Sequence, residues 1–346
     1  MNFKEFKMDI NGTPLIFRHS LLAKQTNGAV LAKLGDTEIL AISVMGNEDK
    51  FDRDCMPLSV DYEEKYYASG KLFGSRYMRR ESRPSETAVL TSRMIDRTIR
   101  PLFNPYLRRE VQVNATCLGF DDVNDPDILA MIASSLSLVI SDIPWGGPIG
   151  AVRVAHHPEK GFLINPNYEE REQNLTFEMV LSGVKGKINM IEFQGSEVEE
   201  DLIAQAFEIG QKVINDLCDF QLKVAQEIGV QKTDLNFVEI NDDFKKRVYE
   251  LMQEKQQEIL FSNTLSKLEK QNEMSLLVAS TRKQLEEEGF SSDDLNTLTL
   301  IIEDLTNDIL HNQILNFDKR PDGRSLTEIR PLDAQVDILS RTHGNA

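Results

Sequence analysis

Residues 1 to about 60 read as strands, and Gly28–Gly46 sets two apolar runs around Gly35-Asp36, the signal of a hairpin. Residues 61–82 hold no clear period and contain Gly70 and Gly74, which predicts a loop. Residues 84–100 read as a helix, with Pro84 at its first position, Glu86 in its first turn and Pro101 closing it. On that helix Ala88, Ser92, Ile95 and Ile99 share one face, while Arg93, Arg97 and Arg100 fall nearly opposite. Val111–Asp122 reads as a buried strand. Pro126 opens a helix over Asp127–Ser141 whose residues are small or apolar on nearly all sides, which predicts burial. Asp142–His156 reads as loop then strand, Phe177–Gly195 as a second hairpin, and Ser196–Phe220 as an amphipathic helix with acidic residues in its first turn.

The pattern shifts near residue 230. Residues 241–316 lack proline and repeat helical periods, with a break at Gly289 and a fresh N-cap in the serines after it. This stretch predicts a small all-helical domain of about three helices. From Phe317 the pattern shifts again. Pro321-Asp322-Gly323 reads as a turn and Asp333–Ser340 as strand-like. A lone strand cannot bury a face, so residues 317–346 are expected to begin a further domain. The expected organisation is therefore 1–230, 241–316 and 317–346, within an α+β class overall.

Composition changes this picture little. The 346-residue chain is 40% apolar and 27% charged, as soluble globular proteins are. It has no apolar run near the ~20 residues that span a bilayer, and its charged N-terminus is unlike a signal peptide. Cys55, Cys117 and Cys218 lie far apart with no CxxC spacing, against a disulfide framework or a zinc site. A cytoplasmic protein without a membrane partner is expected. GxxxxGK, GxGxxG, HExxH and GxSxG are all absent.

Charge changes it more. The net charge of −17 argues against a polyanionic partner, but the distribution reverses that reading. Lys65–Glu110 carries eleven basic and four acidic residues, a balance of +7, and the rest of the chain balances at −24. Seven arginines lie between Arg76 and Arg100. Guanidinium groups pair bidentately with phosphate oxygens at any relevant pH, and Tyr77 among them offers a ring on which an unpaired base can stack. Loop and helix together form a candidate clamp for single-stranded nucleic acid. The helical stretch 241–316, with 8 basic against 15 acidic residues, is a poor polyanion binder.

Other polar residues have plainer readings. His156-His157 on a strand point to opposite faces. His19 and His311 have no chemical partners nearby, and Trp145 before Gly146-Gly147-Pro148 reads as a packing anchor in a turn. Asp121-Asp122 reads as a solvated turn, and the carboxylates of Asp61–Glu64 as caps or arginine partners.

Arg79–Phe103, RRESRPSETAVLTSRMIDRTIRPLF, resembles the signature of the first core domain of bacterial polynucleotide phosphorylase. Asn124–Val154 resembles that domain's central helix and following strand, residues 241–316 sit where the family has an all-helical domain, and residues 320–346 resemble the opening of its second core domain. The resemblance implies an RNase PH-type α+β core and a homotrimeric ring that shortens RNA from its 3′ end with inorganic phosphate, releasing nucleoside diphosphates. The family's RNA-gripping loop of two phenylalanines and two arginines falls on Tyr77, Met78, Arg79 and Arg80, so one ring is kept as Tyr and one is replaced by Met, which stacks less well. Arg83, Arg93, Arg97 and Arg100 match the helix behind it. His343 matches a position associated with the family's active site. The family's phosphate site and Mg²⁺-binding carboxylates lie in the second core domain, so the ligands are expected beyond Ala346, and this chain alone is expected to be inactive. A non-catalytic RNA-binding ring subunit of an exosome-like assembly, and a scaffold whose arginines bind acidic proteins, are the competing readings.

Overall fold

The computed structural model describes residues 4–19, 22–49, 56–72, 74, 83–235 and 240–346. The chain divides into two compact units, Met1–Phe237 and Val238–Ala346.

The first unit holds two sheets. Strands β1 (Lys4–Ile10), β2 (Thr13–His19), β3 (Gly28–Leu34), β4 (Thr37–Asp49), β5 (Leu58–Glu64) and β6 (Arg109–Gly119) form a six-stranded sheet in the order β1-β2-β3-β4-β6-β5. Its pairings are antiparallel except β5 with β6. The β3–β4 hairpin turns where the sequence predicts, at Gly35, whose φ of +60° favours glycine and whose Cβ would lie 2.2 Å from the Asn124 Nδ2. Strands β7 (Gly150–His157), β8 (Gly161–Ile164), β9 (Phe177–Val184) and β10 (Lys187–Gly195) form the second sheet, antiparallel in the order β10-β9-β7-β8.

Helix α2 (Pro126–Ile140) is shared by both sheets, packing on β3, β4 and β6 of the first and on β7 of the second. Fourteen of its fifteen residues are buried, which accounts for the missing polar face. Burying a side chain such as Leu129, Ile132 or Leu136 contributes about 1.5–3 kcal/mol. Backbone meets backbone closely at this helix: a Cβ on Gly28 would lie 2.0 Å from the Ser137 carbonyl oxygen. The short helix α3 (Tyr168–Arg171) carries a capping box from Asn167 and Glu170. Helix α4 (Glu200–Ile228) packs on β7 and β9 through Ala206, Gly210, Ile214, Leu217, Cys218, Gln221 and Val224, the three-and-four spacing of one helix face.

The second unit contains α5 (Asp242–Leu260), α6 (Lys267–Glu287), α7 (Ser292–Asn296) and α8 (Leu298–Phe317). Phe244, Val248, Met252, Leu277, Leu285, Leu298, Ile301 and Leu305 are among its core. Asn241, Ser266 and Ser291 cap the first three helices through their side chains.

Three expectations need correction. Residues 61–82 are not all loop: β5 covers Leu58–Glu64 and a 3-10 turn covers Tyr66–Ser69. As the last strand of its sheet β5 buries only Tyr62, too little to impress a period on the sequence. Helix α1 (Glu86–Ile99) is capped by Ser85, whose hydroxyl accepts a hydrogen bond from the Ala88 N–H, so Pro84 precedes the cap rather than opening the helix. Asp333–Ser340 is not a strand. Leu332, Val336, Ile338 and Leu339 are exposed, and extended backbone with nothing to pair against forms no ladder.

Candidate nucleic-acid interface

The basic island centres on α1. Its buried face, Ala88, Thr91, Ile95, Thr98 and Ile99, packs chiefly on β5 and α2. Ser92, expected there, is half-buried, and its hydroxyl donates to the Val89 carbonyl. The opposite face exposes Arg83 just ahead of the helix, then Glu86, Val89, Leu90, Arg93 and Arg97.

The four described arginines of the expected clamp, Arg83, Arg93, Arg97 and Arg100, stand in different states. Arg83 and Arg93 are exposed and have no hydrogen-bond or ion-pair partner among the described residues. Arg97 donates through Nη1 to Glu192 Oε1 on β10 at 2.6 Å. Arg100 is committed to the fold. It grips both carboxylate oxygens of Asp96 one turn earlier, Nε donating at 2.9 Å. It also donates to the carbonyls of Met56 at 3.3 Å and Leu58 at 3.1 Å, which ties the end of α1 to the start of β5. The arginine stripe expected from helical spacing is thus graded: among the described residues Arg93 has no partner, nor has Arg83 ahead of the helix, while Arg97 is countered and Arg100 is consumed by the fold. Tyr77, Met78, Arg79 and Arg80 lie outside the described residues. His343 is exposed in the second unit, without a side-chain hydrogen bond among the described residues.

The other titratable groups have structural work. Asp121 accepts hydrogen bonds from the Asp36, Val123 and Asn124 N–H groups, the Thr37 hydroxyl and the Asn124 amide. Burial pushes its carboxyl up, but these bonds outweigh it and hold it down at about 2. His156 is sandwiched by Phe162 and Phe177, with ring centroids 5.1 and 6.0 Å away. The Trp145 indole donates to the Ile99 carbonyl at 3.0 Å and packs on Phe103, the anchor its sequence context suggests. Burial pushes the Cys117 thiol up to about 12 and the Cys218 thiol up to about 11, which leaves both inert as nucleophiles. Cys55 lies outside the described residues.

Sequence reasoning missed a buried ionic cluster at the start of α2. Arg153 on β7 reaches Asp125 at 2.9 Å and Asp127 at 2.6 Å; Arg171 reaches Asp125 at 2.8 Å and Glu178 at 2.9 Å. Tyr168 donates to Asp125 at 3.2 Å. Burial first, then the neighbouring Asp125, pushes the Asp127 carboxyl up, against the pull of Arg153. The signal was present in the sequence: one arginine inside the apolar run Ala151–Ala155 must find buried partners. A second missed contact is Lys232, whose ammonium donates to the carbonyls of Leu138, Val139 and Ser141 at the end of α2. Burial lowers that lysine to about 8.

The described residues do not fit a resident Mg²⁺. Among them no group of three or more His, Cys, Asp or Glu is placed to hold a metal, and Asp125, Asp127 and Glu178 are each paired with Arg153 or Arg171. No helix among them is long and apolar enough to cross a membrane.

Two family models match this architecture in tandem: domain 1 of the 3′ exoribonuclease family over residues 13–144, and domain 2 of that family over residues 147–213. The chain belongs to the 3′ exoribonuclease family, and its first unit is an RNase PH-type α+β core. Along nearly its whole length it is similar to bacterial proteins named polyribonucleotide nucleotidyltransferase. It is 37% identical to that of Streptococcus thermophilus over 98% of this chain and 46% of the relative, and 39% identical to that of Alkaliphilus oremlandii over 99% and 48%. The Enterococcus faecalis protein of that name is 39% identical over 98% and 48%. The chain spans about half the length of the curated relatives it matches. Among solved structures, rice Rrp46 aligns with a TM-score of 0.47 at 14% identity, over 65% of this chain and 95% of its own.

Proposed function

We propose that this chain is the RNA-gripping portion of a phosphate-dependent 3′-5′ exoribonuclease, a polyribonucleotide nucleotidyltransferase that converts RNA to nucleoside diphosphates. The observation that carries the reading is the pair of uncountered arginines, Arg83 and Arg93, on the exposed side of α1 in an otherwise acidic chain. They present guanidinium forks that a phosphodiester backbone satisfies. Tyr77, Met78, Arg79 and Arg80 belong to the same grip in this proposal, with Tyr77 supplying the stacking surface. Arg97 takes part after exchange of its partner, and Arg100 contributes by holding α1 in place.

Inorganic phosphate is the co-substrate in this reading and Mg²⁺ assists the chemistry. The working protein is a cytoplasmic homotrimer whose three basic islands face one strand. Residues 1–230, 241–316 and 317–346 serve as first core domain, helical domain and opening of a second core. We propose further that this chain alone does not perform phosphorolysis. What supports this is that Asp121, Asp125, Asp127, Glu178 and His156 are each engaged in structural contacts. His343 stands exposed, and among the described residues it has none of the partners a reacting centre needs.

The test is phosphorolysis of a 3′-labelled single-stranded RNA by this chain with phosphate and Mg²⁺ at low salt, beside binding of the same RNA. Binding that weakens steeply with salt, without nucleoside diphosphate release, is the expected result. Phosphate-dependent release overturns the assignment of inactivity, and salt-insensitive or absent binding overturns the grip.

A further inference from the structure

Arg97 carries a counter-charge that comes from a different element of the fold. Arg97 sits one turn after Arg93 on the same exposed side of α1, so the two present neighbouring charges. Yet Arg97 does not stand free. Glu192 crosses from β10, 95 residues later in the chain, to meet it at 2.6 Å. The two elements are fixed to each other beside this pair. The Asn189 amide of β10 donates to the Thr98 carbonyl at 3.0 Å, and the Thr98 hydroxyl shares a 2.7 Å hydrogen bond with Ser182 of β9. Glu192 is therefore held in reach of Arg97 by the fold. The pair itself is open to solvent, with side chains 54% and 47% exposed. An exposed pair of this kind is weak and readily exchanged. It differs from Arg100, whose guanidinium is shared between a carboxylate and two backbone carbonyls.

We propose that Glu192 is an intramolecular stand-in for a phosphate: it occupies Arg97 until a nucleic-acid backbone displaces it, and so weakens the grip of α1 on the strand. The inference rests on the RNA-binding reading above and adds a regulating residue to it. The carboxylate matches the charge of a phosphodiester oxygen and accepts the same guanidinium hydrogen bond. A strand that engages Arg97 must break the pair and then lies beside a freed carboxylate. A phosphodiester chain held at once by Arg83 and Arg93 exchanges with Glu192 at high effective concentration, whereas a lone phosphate must compete unaided. The device makes one of three neighbouring cations reversible, which suits a strand that has to slide past the site.

The test is the affinity of single-stranded RNA for the full chain and its Glu192→Gln, Arg97→Gln and doubly substituted forms, measured by anisotropy from 25 to 200 mM salt. Both residues are exposed, so the substitutions leave the fold intact, which circular dichroism checks. Glu192→Gln is expected to bind about two- to fivefold tighter, the span of one exposed ion pair. The slope of log affinity against log salt should steepen by up to about 0.7, one added phosphate contact on a single strand. In the Arg97→Gln background the same change should give less than half that gain. Equal affinities for wild type and Glu192→Gln, or a gain that persists undiminished without Arg97, overturn the proposal while leaving the RNA-binding reading standing. Absence of salt-dependent binding in every form is the separate failure of that reading.

Discussion

Arg93 and Arg100 occupy the same basic stripe in sequence and opposite roles in structure, and substituting each by glutamine separates grip from scaffold. Arg93 has no partner among the described residues to lose. On the proposed grip its removal deletes one phosphate contact, and with a slope of about 0.7 per contact on a single strand this should cost roughly fivefold in affinity at 0.1 M salt. Stability should stay within about 0.5 kcal/mol, as for surface changes generally. Arg100→Gln removes an i,i+4 pair with Asp96 and two hydrogen bonds to the Met56 and Leu58 carbonyls. The exposed pair is worth about 0.3–0.5 kcal/mol. Each charged donor to a carbonyl is worth about 1 kcal/mol or less here, because the side chain is 41% exposed and water replaces part of the bond. A loss of about 1–2 kcal/mol follows, near 2–8 °C in melting temperature for a unit of this size, with RNA affinity changed less than twofold. RNA anisotropy and thermal unfolding on both variants decide the matter. If the two weaken RNA binding equally, the partition of the stripe into free and consumed arginines is wrong.

Two further outcomes test the fold. Leu136→Ala, in the helix packed by both sheets, should cost about 3–5 kcal/mol because neither side can collapse into the void. Leu90→Ala, 62% exposed on α1, should cost under about 0.5 kcal/mol. Urea unfolding followed by the fluorescence of Trp145, the chain's single tryptophan, measures both. Asp121, lowered to about 2 in the folded state, contributes stability that is present above the ordinary carboxylate range and is lost as pH falls from about 4 through 2. Allowing for its exposure this is about 1–2 kcal/mol. Asp121→Asn should therefore be less stable at pH 6, converge on wild type near pH 2, and show a shallower acid slope between them.

Legibility from sequence followed the range of the interactions. The hairpins turning at Gly35 and Gly186, the apolar-all-round α2 and the one-sided α4 declare themselves within a dozen residues, because local pattern and tertiary burial agree there. Strand β5 was hidden because its order comes from a parallel neighbour fifty residues away in sequence and from α1, while only Tyr62 is buried. Asp333–Ser340 misled in the opposite direction: its alternation is real, but no partner strand turns it into a ladder. For the site, helical spacing placed Arg93, Arg97 and Arg100 on one side of α1. Spacing says nothing of what meets each guanidinium, and Glu192 and the Leu58 carbonyl come from other elements. The cluster around Arg153 was equally distant in sequence, with Asp125 and Glu178 lying on either side of it.

Helix α2 also separates two things that usually coincide, the unit of descent and the unit of cooperativity. The matched family segments divide after residue 144, yet the helix just before that division is covered by strands from both sides of it. Ser135 accepts the Ile149 N–H, and Lys232, beyond the end of the second segment, donates to the carbonyls that finish the helix. Neither segment can therefore reach its native state alone, since the first would present a bare apolar rod and the second would lack the surface it folds upon. A cut between residues 144 and 147 is therefore expected to leave both pieces without a stable core.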